Sequence, residues 1–91
     1  MTADSKARMH LRVISPQKLL VEADVLEVQV PGLDGYLGLW PGHRPLNACL
    51  GKGEIIYKTV IGREERISIG SGLLQVANDK ILVFTDMEND D

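Results

Sequence analysis

Two histidines, one cysteine and a few serines are what this chain offers for nucleophilic or acid–base chemistry, and their spacing is poor for it. Cys49 lies in an apolar stretch, Ala48-Cys49-Leu50. That setting predicts a buried, inert thiol, because a reactive thiolate needs electropositive, partly exposed surroundings. His10 and His43 are the only candidate bases, and no Gly-x-Ser-x-Gly elbow presents a serine to either. Ser71, between Gly70 and Gly72, reads as a turn. The same two histidines, far apart and without a cysteine pair, match no metal-ligand spacing. The glycines of Gly35–Gly42 imitate a phosphate-cradling loop. Such a loop must open a helix, and the prolines at 41 and 45 would stop one. No cofactor is implied.

Lys80 poses a more serious alternative. Lipoyl and biotinyl carrier domains are small all-β units that display a lysine on a hairpin tip, and Asp79-Lys80 sits at such a tip. Those domains place the lysine near mid-chain with several strands after it. Here only Lys80–Thr85 remains, so the residue reads as a solvated turn lysine.

With 91 residues the chain is a single small domain. Its 44% apolar content is that of a folded protein, and its net charge of −3 argues against nucleic acid as a partner, which would need a basic field. The four aromatics, Tyr36, Trp40, Tyr57 and Phe84, are too few for a base-stacking platform. One cysteine excludes an internal disulfide and fits a reducing compartment. The polar start, Met1–His10, lacks the apolar core of a signal peptide, and no apolar run approaches the roughly 20 residues of a membrane span. A cytoplasmic location is expected, with any membrane association made through another protein.

The elements that must position these residues are strands. Met9, Leu11 and Val13 alternate with His10 and Arg12, and Ser15-Pro16 breaks the run. Lys18–Glu22 is a short strand. Leu26, Val28 and Val30 share one face of the next, with Glu27, Gln29 and Val25 on the other. Glu54–Ile61 and Glu65–Gly70 form a hairpin around Gly62-Arg63. Leu73–Ala77 and Lys80–Thr85 form another around Asn78-Asp79, two residues that tolerate the positive φ of a tight turn. No window has helical periodicity. The expectation is all-β, about nine or ten short strands in a flattened sandwich or barrel.

The segment Pro31–Gly53 holds three of the four prolines and six of the nine glycines, and it places Leu33, Tyr36, Leu39 and Trp40 in an irregular setting. It reads either as an ordinary connection with its hydrophobes in the core or as a rigid binding loop. With no catalytic set elsewhere, a binding or structural module is expected.

This segment also carries a resemblance. Gly35-Tyr36-Leu37-Gly38-Leu39-Trp40-Pro41-Gly42-His43-Arg44-Pro45-Leu46 resembles the Gly-x-x-Gly-(Ile/Leu)-x-Pro-Gly-His-x-Pro-Leu signature of the epsilon subunits of F-type ATP synthases. His10–Pro16 is similar to that family's opening strand, Gly70–Val76 to its Gly-Gly-(Phe/Ile)-x-Glu-Val stretch and Ile81–Asp86 to its final strand. The likeness runs from about Met9 to Asp86. It implies a ten-stranded flattened sandwich of two sheets over residues 9–86, between a loose arm (1–8) and an acidic tail (87–91). Complete members continue into a helical hairpin that inhibits hydrolysis and can bind ATP. Its residues do not follow here, so coupling without that autoinhibition, and without bound ATP, is expected. A genuinely short member is favoured over a domain cut at its boundary.

What the resemblance implies is a non-catalytic rotor role: the sandwich binds the gamma subunit along one side and rests on the membrane ring of c subunits, on the cytoplasmic side of a bacterial inner membrane. Motif by motif, Ser15, His43, Arg44 and Ala48 fall at gamma-facing positions. Leu33, Asp34, Gly35 and Tyr36 fall in the ring-facing loop. Many members carry an acid where this chain has Tyr36, which leaves Asp34 to supply charge. His43 is either interfacial or a brace for the Pro41–Pro45 turn. Leu39, Trp40 and Leu46 are candidate apolar anchors, to be buried only in the complex. The alternative is a stand-alone β-sandwich binding module with an unrelated partner.

Overall fold

The structure is a computed structural model that describes residues 7–86. The acidic tail and most of the expected arm lie outside the described residues. Within them the chain is all-β: β1 (Met9–Ile14), β2 (Leu19–Gly32), β3 (Gly35–Leu39), β4 (Leu46–Leu50), β5 (Gly53–Thr59), β6 (Glu64–Ile69), β7 (Gly72–Ala77) and β8 (Lys80–Thr85). The class is the one expected, with eight strands rather than ten. One reason is that the two strands expected over Lys18–Glu22 and Asp24–Val30 are a single strand of 14 residues.

This long strand belongs to two layers. Its first half pairs with β1, from Leu19 to Val25. Its second half pairs with β3 on the same edge, from Val28 to Gly32, and with β5 on the opposite edge. The β1, β8, β7 and β4 strands form one layer, and Gly32↔Leu50 returns that layer to β2. β3, the second half of β2, β5 and β6 form the other. The ring β1-β8-β7-β4-β2 therefore closes on itself, and β6 and β3 are left as the outer strands of the second layer.

Where β2 passes from one layer to the other, a bulge shifts the count of which residues face the core. Val25 pairs with Thr59 and Glu27 with Lys58, so Leu26 is an extra residue. Before the bulge Val21, Ala23 and Val25 turn toward the core; after it Val28 and Val30 do. The alternation expected from the sequence, with Val25 beside Glu27 on the polar face, is thus corrected: Val25 is fully buried because the bulge resets the count. A second irregularity, at Val13/Ile14, makes Leu20 the extra residue on β2. It leaves Ile14 and Leu19 paired on the outer face.

The core is a layer of apolar side chains: Met9, Leu11 and Val13 from β1, Val25, Val28 and Val30 from β2, Leu39, Leu50, Ile55 and Ile69 from β3 to β6, and Leu74, Val76, Ile81 and Val83 from β7 and β8. Each removes from water an area worth about 1.5–3 kcal/mol. The turns follow the residue chemistry. Asn78 and Asp79 both adopt positive φ, 53° and 61°, in the two-residue connection between Ala77 and Lys80. Gly62, at φ 87°, closes the β5–β6 hairpin, where Thr59 N–H donates to the Arg63 carbonyl at 2.8 Å.

Gly72 is required by a close approach. A Cβ there would stand 2.5 Å from the Phe84 carbonyl oxygen of the facing strand. Gly72→Ala must therefore push β7 off β8. It is expected to cost about 1–3 kcal/mol, read as a lowered urea midpoint at unchanged slope.

Candidate functional site

The outer face of the β1-β8-β7-β4 layer can be read from the strand registers, because directly paired residues share a face. Three rows cross it. At the end near the Asn78–Asp79 turn stand His10, Lys80 and Ala77. In the middle stand Arg12, Leu82, Gln75 and Asn47. At the end near Ser15 and Ser71 stand Leu19, Ile14, Phe84, Leu73 and Cys49, one from each of five strands. This last row is apolar from side to side. Leu73 is 55% exposed and Phe84 43%. An open groove of about 630 Å³ runs beside them, bordered by Ser15, Pro16, Ser71 and Asp86.

Cys49 belongs to this row and is exposed, which corrects the expectation of a buried thiol. Its neighbours Ala48 and Leu50 turn inward instead, as strand alternation dictates. Around the corner of β4, Leu33 of the β2–β3 turn, 70% exposed, borders a smaller hollow with Ala48, Cys49 and Tyr36. The apolar band therefore continues onto the β2–β3 turn.

The residues singled out in the sequence fall around this band. Ser15 is nearly buried, and its hydroxyl serves its own turn: it donates to the Lys18 carbonyl at 3.2 Å and accepts from Gln17 and Lys18 N–H. His43 and Arg44 lie at the other end of the layer, where the Gly42 N–H donates to Asp79 Oδ1 at 2.7 Å. His43 Nδ1 sits 2.7 Å from the Arg44 carbonyl. A carbonyl only accepts, so Nδ1 carries the proton and the ring braces its own turn. Ser15 and the His43–Arg44 pair are not brought together; they stand at opposite ends of the layer, with the outer face between them.

The three candidate anchors differ. Leu39 is fully buried in the domain's own core, so the expectation that it is an anchor buried only in a complex is corrected: it faces Val28 across the β2–β3 pair and points inward. Leu46 is half-buried and packs on the core's margin. Trp40 is 54% exposed yet held flat. Its Nε1 donates to Glu27 at 3.1 Å, and its ring fills the space that a side chain at Gly38 would need, 2.6 Å from where a Cβ would stand.

Tyr36 is held in a similar way. Its hydroxyl accepts the Glu54 N–H at 3.1 Å and lies 3.0 Å from where a Cβ on Gly53 would stand. Its polar atom is thus spent on fixing the turn that presents Leu33 and Asp34. Gly35 supplies that turn's φ of 127°.

Sequence reasoning missed the five-strand row, Glu27 as the indole's partner and Asp79 as the tie to Gly42. The row had a signal. Ile81–Phe84 is apolar at four consecutive positions, and Leu73-Leu74 and Val13-Ile14 are apolar at both parities. A strand that is apolar on both faces is built to be covered on both.

Among the described residues the two histidines are engaged by groups other than a serine or the cysteine: His43 by the Arg44 carbonyl, His10 by carboxylates. His10 is occupied by two carboxylates, Asp24 and Glu22, in the row farthest from Cys49. Among the described residues no three His, Cys, Asp or Glu side chains converge as a metal site, and none of them forms a helix long and apolar enough to cross a membrane. Burial raises the Tyr57 hydroxyl above its ordinary pKa of 10.0, with Glu65 adding to the effect, so it stays protonated. Glu64 and Glu54 hold Arg66 in its charged form on the β5–β6 surface.

Fold and surface together define a small β-sandwich that presents a braced loop and an apolar outer face. The family model for the beta-sandwich domain of the ATP synthase Delta/Epsilon chain matches residues 8–88, and the chain belongs to that family. It is 43% identical over 79 residues to the ATP synthase epsilon chain of Solibacter usitatus, covering 87% of this chain and 58% of that one. To the epsilon chain of Moorella thermoacetica it is 31% identical over 80 residues, covering 88% and 60%. The chain thus spans about three fifths of the length of these curated relatives. Among solved structures, a chain of the Euglena gracilis mitochondrial ATP synthase (OSCP/F1/c-ring) superposes with a TM-score of 0.83 at 18% identity, over 89% of this chain and 52% of that one. One from the Tetrahymena thermophila ATP synthase central stalk/c-ring gives 0.73 at 12%, over 90% and 66%. At these identities the likeness is one of fold.

The contrast between neighbouring hydrophobes is directly measurable. Leu39→Ala is expected to cost about 2–5 kcal/mol, as core truncations do. Leu73→Ala, on the exposed row, is expected to stay within about 0.5 kcal/mol. Urea unfolding of the two variants checks both.

Proposed function

We propose that this chain is a non-catalytic central-stalk subunit of an F-type ATP synthase, a stiff body that joins the gamma subunit to the ring of c subunits so that rotation driven by ion flow reaches the catalytic head. The observation that carries this reading is the apolar row across five strands, on a sandwich of the epsilon family. A domain with only two layers cannot cover its own outer face, so side chains such as Leu73 and Phe84 call for an external partner.

The gamma subunit is the occupant we assign to that face. The positions the family resemblance gives to gamma, Ser15 at one end and His43 and Arg44 at the other, bracket it, with Ala48 beside it on β4. The β2–β3 turn is the part we assign to the c ring. Here Tyr36 braces rather than contacts, and Leu33 and Asp34 form the tip, so that contact combines one apolar side chain with one acid. Such a role needs complementary surfaces of standard size, about 1,200–2,000 Å², and no reacting group. The subunit would lie at the cytoplasmic side of a bacterial inner membrane, held there by its partners. Nothing in the fold or the relatives favours a stand-alone module with an unrelated partner.

Size-exclusion chromatography with light scattering, using the gamma subunit from the same source, tests this. A one-to-one complex is expected with the unaltered chain. The double variant Leu73→Glu/Phe84→Glu should lose at least about 100-fold in affinity, as two central apolar contacts do when charged, while keeping its β circular-dichroism spectrum. Undiminished binding by that folded variant would place gamma elsewhere on the sandwich.

A further inference from the structure

The charged end of the same layer holds a cluster that the rotor reading does not use. His10 projects from β1 between two acids of β2. Its Nδ1 lies 2.9 Å from Asp24 Oδ1 and its Nε2 lies 2.9 Å from Glu22 Oε2. A carboxylate only accepts, and a neutral imidazole has one N–H to give. Both contacts are satisfied together only by the doubly protonated ring.

We propose that His10 is a proton-operated fastener between β1 and β2: closed as imidazolium across Glu22 and Asp24, and half-released when the ring loses a proton. On release, the bare ring nitrogen faces a carboxylate lone pair, and one of the two cross-strand ties opens. The site is placed to matter for the start of β1. His10 N–H also donates to the Asp79 carbonyl at 2.9 Å, so the residue joins β1 to β2 through its side chain and to the β7–β8 turn through its backbone. Next to it, Met9 is buried against the core.

Every charged group facing the ring can be named. On β2 stand Glu22 and Asp24. Lys80 of β8 is directly paired with His10, and Arg12 lies two residues along β1. Arg8 approaches Asp24 at 3.7 Å and Arg12 approaches Glu22 at 3.9 Å. The three cations disfavour a charged ring, but they stand off, whereas both carboxylates touch it. The balance raises the pKa of His10 above 6.5, chiefly through the hydrogen bond with Asp24 and then that with Glu22. Asp24 is lowered below 3.8, chiefly by the same bond with His10.

The sign follows by linkage. His10 contributes stability that is complete below about pH 6.5 and is lost as pH rises through its raised folded value. Asp24 contributes stability that is present above about pH 3.8 and is lost as pH falls through its lowered value. The fastener is whole between these limits and opens on the alkaline side. Both groups are exposed, so the effect is local rather than a global unfolding.

Histidine ring NMR of the full chain across pH 5–9, with amide exchange measured alongside, tests the proposal. The expected result is a His10 midpoint above 6.5, with the His10 amide losing protection as the ring deprotonates. In Glu22→Gln/Asp24→Asn the midpoint should fall back toward 6.5 and the pH dependence of protection should vanish. A wild-type midpoint at or below 6.5, or one unmoved in the double variant, overturns the proposal. So does protection of the His10 amide that ignores the ring's titration. The measurement uses this chain alone, so it stands or falls apart from the identity of any partner.

Discussion

A strand that runs through two layers must present one set of side chains to the core in the first and another in the second. In this chain strict alternation is broken between the two, at Leu26. If Leu26 counted as an ordinary strand position, Val25 and Val28, three residues apart, would point to opposite faces, and either the valines before it or those after it would face water. β1, β3, β4 and β5 all take their places along β2, so the bulge sets where each of them lies. The turn that carries Leu33 and the outer face that carries Phe84 are both consequences of it.

The exposed surface is organised by a different rule. Its large aromatics are pinned by single polar atoms. Trp40 is held by Glu27, and Tyr36 by the backbone of Glu54; each ring lies where a glycine has left room. Rings fixed in this way lose little freedom on contact, which lowers the ordering cost of an interface. The apolar row of the other layer achieves the same end by standing on a closed ring of strands. Rigidity therefore comes from the sheet in one place and from side-chain braces in the other.

Much of the architecture was legible in the residues. The alternation of Met9, Leu11 and Val13 gave β1 its inner face, Asn78-Asp79 marked the tight hairpin, and the Gly-Pro-His segment carried the family resemblance. What was misread has a common cause. Periodicity tells which residues lie together, and the bulge at Leu26 interrupts it without any sequence mark. For the same reason an apolar neighbourhood does not say which way Cys49 points, since Ala48 and Leu50 take the inner side of that strand. Leu39 and Trp40, adjacent and both expected as anchors, part company once parity places one in the core and the other over Gly38. The apolar outer face was written in the double-sided runs of β7 and β8, a pattern that acquires meaning only when the layers are counted.

The first and last strands of the fold lie side by side and run parallel, in register from His10 opposite Lys80 to Ile14 opposite Phe84. A force drawing the start of β1 away from the end of β8 would slide the two strands along their length. Their hydrogen bonds would then be strained together, not opened one after another. The domain is accordingly arranged to resist tension between its ends in shear, with β2 and β7 backing the pair on either side. That makes the seam joining the two ends of the sandwich a clamp and not a zip.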